Sequence, residues 1–483
     1  MIENLKDLKK FIKKKINYPV FGAGVYPFNK LGPEDFLPDY RIVSLKKGIE
    51  GKRIKKDIKV FSLKEGDLSK KTRNTTTIIC NPKTEEYLKK FKKINILTHK
   101  SSRKMEKYCK KRGWNIIAAP SKFNKTIFEN KTKIRKILKE INIPTPSGKS
   151  ANLNSLHYGH LINSYGLPFV IQSVIKRRKK RTFFINNKKD FDSACEELKS
   201  GHKEVLVTRF VKGPAISIIG CVTRHGIIST NPQYKIIDNS GIYDYKKELG
   251  LFHGHDWSFY DFSEKIETQV YNIVNELGKY LKRQGYKGIF NITMVIEKEV
   301  DKVYVLGANS HLPDSFPVIT MIQLKNKETP ILAFHILEHM DISYEIDINK
   351  INSLMRKSKK GGQVIIYNST ARWATIGKTV KPGVYKLENK KPKFVRPGYK
   401  LRHLKNKSEF IVSGGILPKN QYLSPSRRVC RIMALRGFLK NDQKLSRWGN
   451  TVIRETYRLF KISPIRFFKI KKIFSRNLKN KTE

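Results

Sequence analysis

Cysteine, acidic residues and long apolar runs are all scarce in this sequence, and each shortage excludes a class of protein. The five cysteines are widely scattered and show no paired spacing of the metal-knuckle type, so reduced thiols are expected. The longest nearly continuous apolar run, residues 215–222, is far shorter than the roughly 20 residues that cross a bilayer as a helix. The N-terminus has acidic residues and no apolar core, unlike a secretory signal. These shortages together predict a cytoplasmic protein.

The shortage of acidic residues leaves a large positive charge. There are 41 Asp and Glu residues against 99 Lys and Arg residues, a formal net charge of +58. A field of this sign attracts nucleic acid or an anionic membrane surface. Compositional bias is the other explanation, because Lys, Ile and Asn dominate together, as expected of an AT-rich genome, and the charge is spread along the chain. Both explanations stay open from the sequence.

Apolar and aromatic residues, by contrast, are plentiful. Hydrophobic residues make up 39% and aromatic residues 11% of the 483 residues, which is too much apolar material for a disordered chain. A chain of this length also exceeds the range in which one core keeps growing, so we expect roughly two to four packed modules.

Apolar runs alternate with polar, helix-capable stretches over the first 120 residues. Runs bounded by Gly, Pro and Asn predict buried parallel strands in an α/β module that ends near Pro120. These runs are RIVSL, IKVFSL, TTTIICNP, INILTHK and WNIIAAP. Gly22 and Gly24 follow a possible strand, and a plain strand-to-loop turn is the favoured interpretation of them.

The middle of the chain reads as helix, strand, loop, strand, hinge strand, hairpin, long helix and paired strands. Asn130 is placed to cap the first helix, which carries apolar residues at spacings of three and four. A long helix ends at Gly285, and a hairpin turns around residues 298–301. Segment 253–256, with His253, His255 and Asp256, is interpreted as a partly exposed loop.

Short strands follow beyond Leu354, in GGQVIIYNST, GVYKL and SEFIVSGGI, and a helix is predicted over residues 443–460. The basic tail that ends the sequence interleaves Ile and Phe with Lys and Arg. That pattern fits an interfacial helix on anionic lipid, a nucleic-acid contact, or a helix docked on its own domain.

The order of elements resembles the ATP-grasp superfamily from about residue 125 to 325. The strings that carry the resemblance are NKTKIRKILKEINIPTPSG, LPFVIQ, VTRFVKG, YKGIFNITMVIE and VYVLGANSHLP. It implies a chain of α/β and α+β class: a Rossmann-like pre-ATP-grasp domain (1–124), an ATP-grasp domain of two lobes (125–350), a β-rich, biotin-carboxylase-like module (351–432) and a helical basic tail (433–483). The implied reaction uses ATP to activate a carboxylate as an acyl phosphate and joins it to an amine or another nucleophile.

The resemblance also implies nucleotide-binding residues. They are Gln172, Lys176, Arg177, Thr182, Thr208, Arg209, Phe210 and Val211. Gln172 stands where Lys is common in the family, and the basic run 176–181 replaces a loop that is normally rich in glycine. That run could neutralise the phosphates of ATP, bind another polyanion, or be a solvated charge run that binds nothing. Phe210 and Val211 would pack on adenine, although a buried strand explains them equally well.

The family's magnesium ligands are only partly present. Its first acid aligns with Thr293 and its second with Gly307, while Asn309 is kept. The predicted metal-binding residues are Asn309, Thr293 and Asn291. Asn291 shares a strand face with Thr293, although strand packing explains it about as well. His311 replaces an Arg near the reacting carboxylate and is the predicted catalytic residue. Asp256 or Asp314 is an alternative source of the missing oxygen ligand.

Three functions stay open from the sequence. The first is an ATP-dependent carboxylate ligase with ATP and Mg²⁺ as cofactors. The second is a catalytically impaired relative that binds nucleotide or a partner in the same cleft. The third is a basic protein that binds RNA or anionic lipid through the run 176–181 or the tail.

Overall fold

The computed structural model describes residues 1–45, 48–63, 74–174, 182–199, 204–237, 252–370, 372–442 and 444–465. The predicted phosphate contacts Lys176 and Arg177, the rest of the basic run and the tail from residue 466 lie outside the described residues. None of the described helices combines the length and the apolar character that crossing a bilayer requires.

The N-terminal part is a sheet of five parallel strands in the order β3-β2-β1-β4-β5. Its strands are β1 Val20–Gly24, β2 Tyr40–Ser44, β3 Lys59–Ser62, β4 Asn95–Thr98 and β5 Asn115–Ile117. Its helices are α1 Leu5–Lys15, α2 Gly51–Asp57, α3 Thr75–Ile79, α4 Pro82–Leu88, α5 Arg103–Lys110 and α6 Ser121–Phe123. The parallel sheet confirms the predicted α/β class of this part, and four of the five apolar runs are strands.

The fifth run, TTTIICNP, was predicted as a strand, and this was wrong. It forms α3, because the side chain of Asn74 accepts a hydrogen bond from the backbone N–H of Thr77 at 3.0 Å and caps the helix. Ile78 and Ile79 are both fully buried at the end of this short helix. A cap thus outweighed the β-propensity of the Thr and Ile residues.

A second sheet forms the smaller lobe of the middle region. It is antiparallel, in the order β6-β9-β7-β8. Its elements are β6 Gly148–Asn152, β7 Phe169–Ser173, β8 Thr182–Ile185, β9 Glu204–Arg209, α7 Lys131–Glu140, α8 Tyr158–Tyr165 and α9 Lys188–Lys199. The predicted cap of α7 is confirmed, since Asn130 Oδ1 accepts a hydrogen bond from the N–H of Lys133 at 3.0 Å.

The largest sheet has eleven strands and runs from the middle region into the C-terminal region. The strand order is β15-β14-β10-β12-β13-β16-β22-β20-β18-β19, with β11 paired to β10. These strands are β10 Ala215–Thr223, β11 Gly226–Ser229, β12 Gln233–Ile237, β13 Phe252–Asp256, β14 Gly288–Glu297, β15 Lys302–Asn309, β16 Gly362–Tyr367, β18 Gly383–Glu388, β19 Lys391–Arg396, β20 Glu409–Ser413 and β22 Arg428–Ala434. Antiparallel pairing of β13 with β16 joins the two regions.

Further helices and a small fourth sheet belong to the middle and C-terminal regions. The helices are α10 Glu264–Arg283, α11 Phe316–Lys325, α12 Ile331–His339, α13 Ile348–Arg356 and α14 Arg447–Leu459. The small sheet contains β17 Ala374–Thr375, β21 Tyr422–Leu423 and β23 Ser463–Pro464. The predicted long helix is α10, which buries one apolar face against the large sheet.

The interpretation of segment 253–256 as an exposed loop was wrong. These residues belong to β13, and His253, His255 and Asp256 are all buried. Asp256 Oδ1 accepts hydrogen bonds from the N–H groups of Ser258 and Phe259, and Oδ2 from those of Phe438 and Leu439, at 2.6 to 3.0 Å. The carboxylate therefore anchors the C-terminal region to the sheet.

Candidate functional site

A cavity of about 540 Å³ lies between the small lobe and the large sheet. Seven elements supply its walls: α7, β7, β8, β9, β12, β14 and β15. The lining residues are Phe128, Lys131, Ile134, Arg135, Leu138, Pro146, Val170, Gln172, Thr182, Phe184, Leu206, Thr208, Arg209, Phe210, Val211, Lys235, Ile237, Thr293, Val295, Val305, Leu306, Gly307, Ala308 and Asn309. Its mixture of an apolar slot and convergent polar groups is typical of a ligand site.

The hinge after β9 supplies one wall of this cavity. The edge of the Phe210 ring meets Phe184 with 5.8 Å between ring centroids. Arg209 forms a bidentate ion pair with Glu297 of β14, at 2.6 and 2.8 Å. This pair raises the pKa of Arg209 and lowers the pKa of Glu297 through its hydrogen bonds. Because β9 and β14 belong to different sheets, the ion pair ties the two lobes together at the hinge.

Polar side chains of β7 and β8 form the opposite part of the small-lobe wall. Gln172 and Thr182 are directly paired in the strand register, and Gln172 Nε2 donates a hydrogen bond to Thr182 Oγ1 at 3.2 Å. Thr208 of β9 is paired with Val170 on the other side of β7. This hydrogen bond to a neutral hydroxyl orients the amide of Gln172.

The β14–β15 hairpin forms the floor of the cavity. Asn291 pairs with Asn309 and Thr293 with Gly307 across the two strands. Asn291 Nδ2 donates to the backbone oxygen of His311 at 3.1 Å, and Asn309 Nδ2 lies 3.5 Å from Asn291 Oδ1. The predicted residues Thr293 and Asn309 thus lie on the wall of the same cavity as Gln172.

No protein-family model matches the sequence, but many solved structures match the fold. N5-carboxyaminoimidazole ribonucleotide synthetase from Thermotoga maritima is 14% identical, over 93% of this chain and 100% of its own, with a TM-score of 0.54. Biotin carboxylase from Campylobacter jejuni, in a β-γ-ATP complex, is 10% identical, over 87% of each chain, with a TM-score of 0.57. Phosphoribosylamine–glycine ligase from Thermotoga maritima is 13% identical, over 92% of this chain and 96% of its own, with a TM-score of 0.54. All three are ATP-grasp enzymes.

The chain has the ATP-grasp fold.

The ATP-grasp topology brings most of the predicted site residues together. Those that line the cavity are Gln172, Thr182, Thr208, Arg209, Phe210, Val211, Thr293 and Asn309. Asn291 contacts the backbone at His311 instead of lining the cavity, and His311 lies just beyond the end of β15. Their roles in binding or catalysis stay predictions, because geometry alone does not assign them.

Three cations of the cavity wall were missed from the sequence: Lys131, Arg135 and Lys235. Arg135 Nη2 donates to the backbone oxygen of Pro146 at 2.6 Å. Lys235 Nζ lies 3.5 Å from Thr293 Oγ1. Burial lowers the pKa of Lys235 to about 8, although the Asp314 carboxylate acts in the opposite direction. The signal for Lys235 was a lysine within the apolar strand pattern of QYKII.

The donor set at the ATP-grasp hairpin does not fit magnesium. Magnesium prefers hard oxygen ligands that usually include one or two carboxylates. Among the residues that the structure describes, none that lines the cavity is acidic, and no three or more His, Cys, Asp or Glu side chains form a cluster. Thr293, where the family has an acid, instead faces the ammonium of Lys235, whose charge opposes a divalent cation.

Neither proposed substitute carboxylate lines this cavity. Asp256 is engaged by four backbone N–H groups, as described above. Asp314 lines a separate, smaller cavity of about 190 Å³ beside the N-terminal sheet. The alternative that one of them supplies an oxygen ligand at Asn309 therefore gains no support from the geometry.

The smaller cavity contains two buried cationic side chains, Lys30 and Arg431. It is lined by Gly24, Val25, Asn29, Lys30, Thr75, His99, Pro313, Asp314, Phe316, Pro317 and Arg431. Lys30 is 2% exposed, and burial lowers its pKa to about 7. Arg431 is also buried, which lowers its pKa to about 9, and it donates to Gln363 Oε1 at 2.7 Å. These two cationic side chains attract an anion when charged, and Asp314 in the same lining opposes that attraction.

His311 lies between the two cavities. Its ring is 4.7 Å from that of His99, centroid to centroid, and His99 lines the smaller cavity. Burial and the neighbouring His311 hold the pKa of His99 well below its ordinary value, so His99 is neutral near pH 7. A group held in the smaller cavity would therefore be close to His311.

Proposed function

We propose that the protein binds ATP in the larger cavity and uses it as an ATP-grasp ligase. The base would pack at Phe210 and Val211, and the phosphates would point toward Gln172, Lys235 and Asn309. The observation that carries this proposal is the convergence of separate sequence segments on one cavity between two lobes. The proposal includes the predicted division of the chain into four parts, with boundaries after residues 124, 350 and 432.

The proposed reaction joins two steps. A carboxylate oxygen of the substrate attacks the γ-phosphorus of ATP, the bond to the β,γ-bridging oxygen breaks, and ADP leaves. An amine or other nucleophile then attacks the acyl carbon and displaces phosphate. The smaller cavity is the proposed site of the substrate's anionic group, because it is lined by Lys30 and Arg431. His311, at the junction of the cavities, would orient the reacting carboxylate.

The test measures ATP binding first and turnover second. Isothermal titration calorimetry with ATP, ADP and GTP is expected to show selective binding of the adenine nucleotides. ADP and phosphate release is then measured with pools of carboxylates and amines. ATP binding without release in any pool would favour the impaired relative, and no nucleotide binding would refute the proposal.

No described contact favours a polyanion-binding function. The basic run and the tail on which it depends lie outside the described residues. Its distinguishing property would be an affinity for RNA or anionic vesicles that falls steeply as salt is raised. Neutralising residues 176–181 or deleting the tail would abolish that affinity, and deleting the tail would leave the predicted nucleotide-binding residues unchanged.

A further inference from the structure

The ammonium of Lys235 lies beside the β14–β15 hairpin, 3.5 Å from the hydroxyl of Thr293. Thr293 and Gly307, which face each other on β14 and β15, stand where the fold usually has its acids. Lys235 reaches Thr293 from β12, across the intervening strand β10. Its ammonium is therefore placed where a divalent ion would neutralise phosphates.

The other charges of the wall leave Lys235 available for this role. Glu297 neutralises Arg209 through two hydrogen bonds, and Arg135 donates to the backbone at Pro146. Among the described residues, no carboxylate lies within ion-pair distance of the Lys235 ammonium, which lies 3.5 Å from the neutral hydroxyl of Thr293. A lysine ammonium is a compact point charge with three donors, which suits phosphate oxygens.

The absence of acidic residues at positions 293 and 307 also favours the binding of a triphosphate without a metal. Two carboxylates at positions 293 and 307 would repel a triphosphate unless a metal lay between them. With Thr and Gly there, no such repulsion has to be overcome. A metal-free triphosphate also carries more negative charge than its magnesium complex, so the described cations of the wall attract it more strongly.

We propose that this cleft binds ATP without a divalent metal, with Lys235 supplying the positive charge that magnesium supplies in other proteins of this fold. The inference rests on the proposed function, since it requires that the larger cavity holds ATP. It predicts that magnesium weakens binding or leaves it unchanged.

The first test compares the affinity of the full-length chain for ATP in excess EDTA and in excess Mg²⁺ by calorimetry. Binding in EDTA that is equal to or tighter than binding in Mg²⁺ supports the inference. Binding that magnesium tightens by about 10-fold or more, about 1.4 kcal/mol, overturns it and leaves the proposed function standing. No binding in either condition refutes both.

The second test removes the charge. Lys235→Met keeps most of the side-chain length and is expected to weaken ATP binding in EDTA by about 10-fold or more. Lys265→Met, at an exposed position of α10, is the matched control and should leave the affinity unchanged. An unchanged affinity in Lys235→Met, with a circular dichroism spectrum like that of the unmutated chain, overturns the inference.

A third test keeps Lys235 and changes its surroundings. A Cβ at Gly307 meets no atom within 4 Å, so the first atom of an added side chain has space there. Gly307→Glu should weaken ATP binding in EDTA relative to the neutral, equally large Gly307→Gln, and magnesium should restore part of the loss. Equal ATP affinities of the two variants in EDTA would contradict the inference, whatever affinity is measured for Lys235→Met.

Discussion

Replacing Asp256 by asparagine is expected to loosen the C-terminal region from the large sheet. The carboxylate is fully buried and accepts four backbone hydrogen bonds, two on each oxygen. The asparagine side chain has one oxygen, so it keeps two of these bonds and turns its NH₂ group toward two N–H donors. Each buried donor left without a partner costs about 1–3 kcal/mol, so we expect a loss of about 4 kcal/mol in the free energy of unfolding.

Urea denaturation followed by circular dichroism measures this loss, and amide hydrogen exchange at Phe438 and Leu439 locates it. Asp261→Asn is the matched control, because the Asp261 carboxylate is 65% exposed and pairs with Lys298 at 3.5 Å. An exposed pair of this kind contributes about 0–1 kcal/mol. A loss below about 1 kcal/mol in Asp256→Asn, with unchanged exchange at both amides, would refute the reasoning about a buried anchor.

Three further predictions concern the two cavities. Phe210→Ala should weaken ATP binding by about 10-fold through lost apolar contact, and Phe210→Leu by much less, as calorimetry would show; equal effects would exclude base packing there. A double-mutant cycle of Arg209→Met and Glu297→Gln should give a coupling of about 1 kcal/mol that shrinks at high salt, because the pair is partly exposed. The pKa of Lys30 is about 7 in the folded chain against an ordinary value of 10.5. Between these pH values the folded chain binds fewer protons than the unfolded chain, so the free energy of unfolding should rise with pH. Lys30→Met should flatten this rise. If the free energy of unfolding of Lys30→Met depends on pH as that of the unmutated chain does, the lowered pKa of Lys30 is contradicted.

The sequence was sufficient where a local signal and the tertiary structure agreed. The cap at Asn130 and the apolar face of α7 were predicted correctly, because the sequence contains both a capping residue and apolar residues at helical spacing. The hairpin of β14 and β15 was found because two apolar strands flank a polar turn. These elements depend on short-range physics, and they locate most of the cavity wall.

The errors arose where long-range packing decided the structure. β13 is short and rich in polar residues, so its sequence does not indicate a strand. It is buried because β12 pairs with one of its edges and β16 with the other. Lys235 looked like one more lysine in a lysine-rich chain. Its position opposite Thr293 depends on the pairing of β10 with both β12 and β14, which no local pattern reveals.

The burial of Lys30 and the half-buried position of Lys235 also bear on the origin of the net charge of +58. Compositional bias readily explains exposed lysines, because an exposed ammonium stays hydrated and costs little. The same bias explains a buried lysine poorly, since burial disfavours the charged form, as the lowered pKa values of both residues show. Something must offset that cost in the folded state. An anion bound in each cavity would do so, and it predicts that ATP raises the pKa of Lys235 when the larger cavity is filled.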